Sequence, residues 1–289
     1  MKNITIDFKV KTKIINRLLE KENIQKLKKR TFLDKLTFAK KEFADIYFHT
    51  GSINKEDIEK IENAKKIIVN SKKQKSELVK KQQIDENKVE IIYPSIDAEY
   101  KKPKEVKKEF CEEFNLDVKT KFVFFTAQNF KNSGSKEFIN IVNNLNFKNF
   151  KAIIAGDKKE VSGLRFQLSK QNVDDKILFF TDYNDLNRLF LVADIFVLPT
   201  HTKAFAKNIL KAMFFKCAVF VPSGCASSEV VDVFATMMMP SDGSTAFKID
   251  ALLGRKEDLK HIKKQNRITA QEFTIEKNLQ KLELILQSV

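Results

Sequence analysis

Between residues 122 and 222 the chain repeats one pattern. Short, continuously apolar stretches, FVFFTA at 122–127, KAIIAG at 151–156, KILFFT at 176–181, DIFVLP at 194–199 and CAVFVP at 217–222, alternate with the amphipathic runs KEFINIVNNL, GLRFQLSKQ, NDLNRLFLVA and AKNILKAMFF. A strand that is apolar on every residue is buried on both faces, which is the condition of a parallel sheet covered by helices. Alternation of such strands with helices predicts a doubly wound α/β sheet joined by right-handed crossovers. Ligands in these sheets collect at the carboxyl ends of the strands, so the loops after 127, 156, 181, 199 and 222 are where chemistry is expected.

Upstream the pattern changes. From Leu18 to Phe48 the spacing of Leu33, Leu36, Ala39 and Phe43 predicts a helix with lysines interleaved. Its basic face and two aromatics, Lys28, Lys29, Arg30, Phe32, Lys40, Lys41 and Phe43, form a candidate membrane or partner surface, though a plain amphipathic helix accounts for the same residues. The stretch IIVNS reads as a strand entering a helix capped by Ser71, and VEIIYPSID as a further strand. Pro94 and the run KKPKEVKKE mark a linker, which divides the chain into lobes at 1–95 and 96–270, with 271–289 as a closing helix.

Composition removes several classes. A chain with 43% apolar and 31% charged residues is not disordered. No apolar run of membrane-spanning length and no signal-peptide core are present, so a cytoplasmic location, or one at the inner face of the cytoplasmic membrane, is expected. Cys111, Cys217 and Cys225 are scattered, with no CxxC and no His pair, so neither a disulfide framework nor a metal centre is expected. His49, His201 and His261 are equally isolated. The formal charge of +15 favours anionic partners, but it is carried almost wholly by Lys, Trp is absent and Arg is rare. Nucleic acid is therefore not the expected partner. With no GxGxxG and no GxxxxGK[ST], no dinucleotide cofactor and no P-loop are expected.

The run KILFFTDYNDLNRLFLVADIFVLPTHTKAFAKNILKAMFFKCAVFVPSGCASSEVV, together with IIVNS, VEIIYPSID and the closing ITAQEFTIEKNLQKLELIL, resembles the donor lobe of retaining GT-B glycosyltransferases of family four, notably the lipopolysaccharide-core glucosyltransferases. The resemblance spans roughly residues 60 to 289. It implies an α/β, GT-B-like chain with a Rossmann-like donor lobe, a truncated N-terminal lobe and a last helix crossing back to that lobe. It also implies a nucleotide-sugar site, which needs cations for the diphosphate and carboxylates for hydroxyls.

At those positions the sequence departs from the family. Asn132 and Ser133 stand where the cation pair belongs, with Lys131 and Lys136 out of register. Lys203 and Lys211 stand where two carboxylates belong, and an ammonium cannot accept a hydrogen bond from a hydroxyl. Phe205 and Ala206 fill the place of a glycine, with the Phe205 ring expected to block the approach to a helix N-terminus. Glu229 is the remaining acidic match. Only about 95 residues precede Pro94, so most of the first lobe's sheet is expected to be missing. The reading is a degenerate, non-catalytic glycosyltransferase-like protein that uses no cofactor and acts as a scaffold or binding subunit with protein partners in an assembly at the envelope or membrane. The alternative is an active nucleotide-sugar-dependent transferase of envelope polysaccharide or lipopolysaccharide synthesis, gripping its diphosphate with Lys131, Lys203 or Lys211.

Overall fold

The computed structural model describes residues 3–28, 41–169 and 175–289. It divides into two compact units. One comprises Met1–Ser95 with Phe273–Val289, the other Ile96–Glu272.

The first unit is built on five parallel strands, β1 (Ile4–Phe8), β2 (Ile24–Lys26), β3 (Ile46–Phe48), β4 (Lys66–Val69) and β5 (Val89–Ile91), in the order β2-β1-β3-β4-β5. Helices α1 (Lys13–Leu19), α2 (Lys55–Asn63) and α3 (Lys72–Gln82) connect them. One face buries Ile6, Leu18, Ile46 and Ile68 together with Leu282. The other buries Tyr47, Ile61, Ile67, Leu78 and Val89. The sheet expected to be largely missing is therefore present. The lobe is short in residues because its strands run three to five residues each.

The continuous helix expected over 18–48 is also corrected. Ile24–Lys26 and Ile46–Phe48 are strands, and residues 41–44 carry no regular structure. Ile24 is buried against β1, and Ile46 and Phe48 pair with it, so sheet burial overrides the 3.6-residue spacing. Lys28 and Lys41 are exposed and Phe43 is half-buried, with Lys41 paired to Glu59 and lying over the Phe43 ring at 5.3 Å. Lys29, Arg30, Phe32 and Lys40 lie outside the described residues.

The second unit opens with α4 (Pro103–Glu113), so most of the stretch expected as a linker is helical, with Pro103 in its first turn where no N–H is needed. Its strands are β6 (Lys121–Thr126), β7 (Phe150–Gly156), β8 (Ile177–Thr181), β9 (Ile195–Val197), β10 (Ala218–Pro222) and β11 (Thr236–Met237), all parallel in the order β11-β10-β9-β6-β7-β8. Helices α5 (Ser135–Asn143) and α6 (Lys158–Leu168) carry the chain outward from β6. Helices α7 (Leu186–Val192) and α8 (Lys207–Phe214) carry it back across the sheet, so right-handed crossovers place the two pairs on opposite faces. Helices α9 (Ser244–Gly254) and α10 (Lys256–Gln271) complete the unit. The core is phenylalanine-rich, with Phe122, Phe124, Phe125, Phe138, Phe190, Phe196 and Phe220 all fully buried. Of the large apolar side chains, Phe166, Val233, Met238 and Phe247 are the most exposed among the described residues.

The last helix, α11 (Ile275–Gln287), packs into the first unit. There Asn278 Nδ2 donates to the Tyr93 carbonyl and to Ser95 Oγ, each at 2.9 Å. All three cysteines are buried and reduced, and burial pushes the Cys217 thiol up to about 12. No helix among the described residues is long and apolar enough to cross a membrane.

Each unit also buries one carboxylate. Asp194, at the foot of β9, is 5% exposed and faces Lys263 at 2.9 Å, Lys107 at 3.4 Å and Lys121 at 3.6 Å, which ties α4 and α10 to the sheet. Asp57 is 4% exposed and accepts from Lys9 Nζ and Tyr47 Oη, both at 2.7 Å. Burial pushes both carboxyls up, but the three lysines around Asp194, and the Lys9 and Tyr47 donors on Asp57, outweigh it and hold each at about 2. A folded value below the ordinary carboxylate value of about 4 stabilises the fold fully above that pH, by about 2 kcal/mol per group, and the contribution is lost as pH falls toward 2. Stability measured by denaturant titration is expected to fall steeply between about pH 5 and 2. In Asp194→Asn the protein should be less stable at pH 7, with a shallower acid limb. An unchanged acid limb would show that the three lysines do not hold the carboxylate.

Candidate functional site at the strand ends

The loops that follow β6, β9 and β10 meet at one edge of the second unit. After β6 the chain turns on itself: Asn132 N–H donates to Asn129 Oδ1 at 2.8 Å and Ser133 N–H to the Asn129 carbonyl at 3.1 Å. Gly134 follows at φ 81° and begins α5. A Cβ there would sit 2.7 Å from the carbonyl carbon of Pro199, so the absence of a side chain is what lets the loop after β9 lie against the loop after β6. The Asn132 carbonyl then accepts from His201 N–H at 3.0 Å and from Thr200 Oγ1 at 3.3 Å.

The loop after β10 joins the same rim. Ala226 N–H donates to the Lys203 carbonyl at 3.0 Å, and Cys225 Sγ lies 3.1 Å from the Ala204 carbonyl. Ala206 N–H donates to Ser227 Oγ at 2.6 Å. Asn208, in the first turn of α8, reaches back with Nδ2 to the Thr126 carbonyl at 3.2 Å. Polar groups that a ligand would otherwise meet are thus engaged with one another.

The positions singled out in the sequence fall into three groups. Asn132, Lys203 and Ala206 are gathered at the rim, with Ser133 beside them. Lys203 is exposed. Lys211 is a turn further along α8, half-buried, with its ammonium 5.4 Å from the centre of the Phe190 ring on α7. Phe205, two residues before α8, is buried, at 8% exposure. Glu229 lies half-buried in the 3₁₀ turn Ala226–Val230. Among the described residues no cluster of His, Cys, Asp and Glu could hold a metal ion.

Two features were not found by spacing. In the first unit His49 follows β3 and is fully buried beside Tyr47. Among the described residues no group meets either ring nitrogen in good hydrogen-bond geometry. Burial lowers its pKa, with Asp57 opposing and Lys9 assisting. The cluster is assembled by the capping box of α2, in which Asn54 Oδ1 accepts from Asp57 N–H and Asp57 accepts from Asn54 N–H, a signature that N-x-x-D in the sequence does carry. In the second unit His201 Nε2 lies 2.9 Å from Glu137 Oε1, linking the rim to α5.

Residues 106–269 match the family model for glycosyl transferases group 1, which is more than half of the chain. The chain belongs to that family. Among solved structures this family member resembles HepE from Anabaena, crystallised in complex with UDP, with TM-score 0.73 and 16% identity over 84% of this chain and 72% of that one. A glycosyltransferase from Rickettsia africae gives TM-score 0.73 and 14% identity over 98% and 89%. WaaG, a glycosyltransferase involved in lipopolysaccharide biosynthesis, gives 0.66 and 14% over 87% and 83%. At these identities the likeness establishes the two-lobed GT-B fold and nothing finer. No curated protein matches the sequence.

The rim depends on Gly134. Gly134→Ala must either abandon a left-handed backbone or push Pro199 away, at a cost of roughly 2–4 kcal/mol. A clear loss of melting temperature is expected, against little change for Gly224→Ala, where a Cβ meets open space. Equal effects from the two substitutions would show that the loops do not depend on this approach.

Proposed function

We propose that this glycosyl transferase group 1 chain is a non-catalytic descendant that uses its donor-type lobe for binding or assembly. The observation that carries the reading is the pair Lys203 and Lys211, ammonium groups where the resemblance calls for hydroxyl-accepting carboxylates. An ammonium has three donors and no lone pair, so it cannot hold a sugar or ribose hydroxyl as a carboxylate does. Neutral Asn132 and Ser133 at the cation positions support the same conclusion, because a departing diphosphate would lose its charge stabilisation there. One such interaction is typically worth about 3–4 kcal/mol in the transition state. The mutual hydrogen bonding of the three loops adds that a ligand would have to displace contacts already made.

A second reading, an active transferase, is favoured by the complete five-stranded sheet of the first unit. In it the exposed Lys203 would grip a diphosphate directly. The partners of the first reading are protein subunits of an assembly, with an anionic membrane surface as an additional contact for the basic chain and a cytoplasmic location throughout.

The two readings separate in one assay. The purified full chain is incubated with UDP-glucose and a panel of other nucleotide sugars, following release of nucleoside diphosphate and, in parallel, heat of binding. No turnover and no binding stronger than millimolar are expected. Micromolar binding that Lys203→Ala abolishes, or turnover of any activated sugar, would establish the active reading. Because Lys203 is exposed, its substitution should leave stability within about 0.5 kcal/mol, so a loss of binding could not be blamed on unfolding.

A further inference from the structure

Between α5 and α6, and bordered by Asn132 and His201 of the rim, lies a cavity of about 670 Å³. That volume is in the range of sites for metabolite-sized ligands. Its floor is apolar, made by Phe130 and Leu164, which are 3% and 4% exposed. Three lysines surround it, Lys131 from the loop after β6, Lys136 from the first turn of α5 and Lys159 from the first turn of α6. All three are exposed, and none forms an ion pair among the described residues. With Glu137 and Glu160 also in the lining, the three lysines leave the cavity with a formal charge of about +1.

The two carboxylates on the same wall are already engaged. Glu160 Oε2 accepts from Phe130 N–H at 2.6 Å, and Glu137 is held by His201 at 2.9 Å. These contacts fix the shape of the wall, and the three lysines make none with either carboxylate.

Gly163 gives an independent indication. It sits inside α6, where glycine costs roughly 0.5–1 kcal/mol relative to alanine, in a chain that has only seven glycines. Its backbone is ordinary helix, so no turn requires it, and a Cβ built on it meets nothing within 4 Å. It lines the cavity. Neither conformation nor packing explains the residue, whereas the space it leaves open does.

We infer that this cavity is a binding site for a small organic anion, a phosphate-type group carried on a compact apolar body. The body would lie on Phe130 and Leu164 in the space left by Gly163, and the anion would be shared among Lys131, Lys136 and Lys159. The site shares Lys131 and Asn132 with the loop that the resemblance assigns to a diphosphate, whereas Lys203, Ala206 and Lys211 take no part in it, so a probe without sugar or nucleoside tests it whether or not the chain turns over a sugar.

The probe is 1-naphthyl phosphate, titrated calorimetrically into the full chain, with inorganic phosphate and 1-naphthol as half-probes. One site is expected, weakened by salt, with each half-probe at least tenfold weaker. Gly163→Leu fills the cavity with a good helix former whose Cβ has room, so the fold should be kept and affinity should fall tenfold or more. The triple variant Lys131→Ala, Lys136→Ala, Lys159→Ala should lose affinity equally and lose the salt dependence. Circular dichroism and melting temperature check that both variants are folded. No binding at millimolar probe, equal affinity for a half-probe, or binding that survives both Gly163→Leu and the triple variant would overturn the inference.

Discussion

Strands β6 and β9 are neighbours in the sheet although the chain leaves them on opposite faces, and this adjacency governs the second unit. Two loops that diverge from adjacent strand ends must share the same small volume before they part. Gly134 makes that possible by bringing backbone against backbone at Pro199, at a φ that other residues adopt only with strain. Once the loops touch, the Asn132 carbonyl can take both His201 N–H and Thr200 Oγ1, and the β10 loop closes on the β9 loop through Lys203 and Ala206. The opposite edge is held by charge instead, with Asp194 drawing in lysines from α4, β6 and α10. One end of the sheet is thus fastened by close approach and the other by a buried ion cluster.

The charges tell what kept its place and what did not. Lysines at the foot of the sheet are bound to a carboxylate and contribute to stability. Lys203 at the top is exposed, and exposed substitutions usually change stability by less than about 0.5 kcal/mol. A change of charge at such a position therefore leaves the fold intact, whereas the buried phenylalanines between the helices tolerate little change. Persistence of the GT-B architecture says nothing by itself about turnover, because packing and chemistry are carried by different residues.

How far the sequence could be read followed the length of each element. The strands of the second unit run up to seven residues, are apolar on both faces and alternate with amphipathic helices, so their pattern was legible. In the first unit ITIDF mixes apolar and polar positions and β2 and β3 have three residues each, too short for any period to register. The run from Leu18 to Phe48 had helical spacing, yet Ile24 and Ile46 gain more by pairing with β1 than a lone amphipathic helix would offer them. At the site, residue identity was legible and orientation was not. Phe205 is buried, as a phenyl ring at the entrance of α8 stabilises the fold when removed from water, but spacing does not report which way such a ring turns. Tyr47, Asp57 and Lys9 meet across a sequence separation of 48, which no local spacing reports.

Lys131 and Lys136 show the same limit from the other side. In the sequence they stand one residue before Asn132 and three after Ser133, out of register with the positions the resemblance gives to a cation pair. A turn and a helix start lie between them and the rim: Ser135 N–H returns to the Phe130 carbonyl and α5 departs from Gly134. That geometry carries both lysines to the α5–α6 face, where they share a cavity with Lys159, a residue 23 positions past Lys136 and absent from any reading of the loop. The space beside Gly163 and the three lysines around it thus lie between α5 and α6, where the loop after β6 and the first turns of two helices converge.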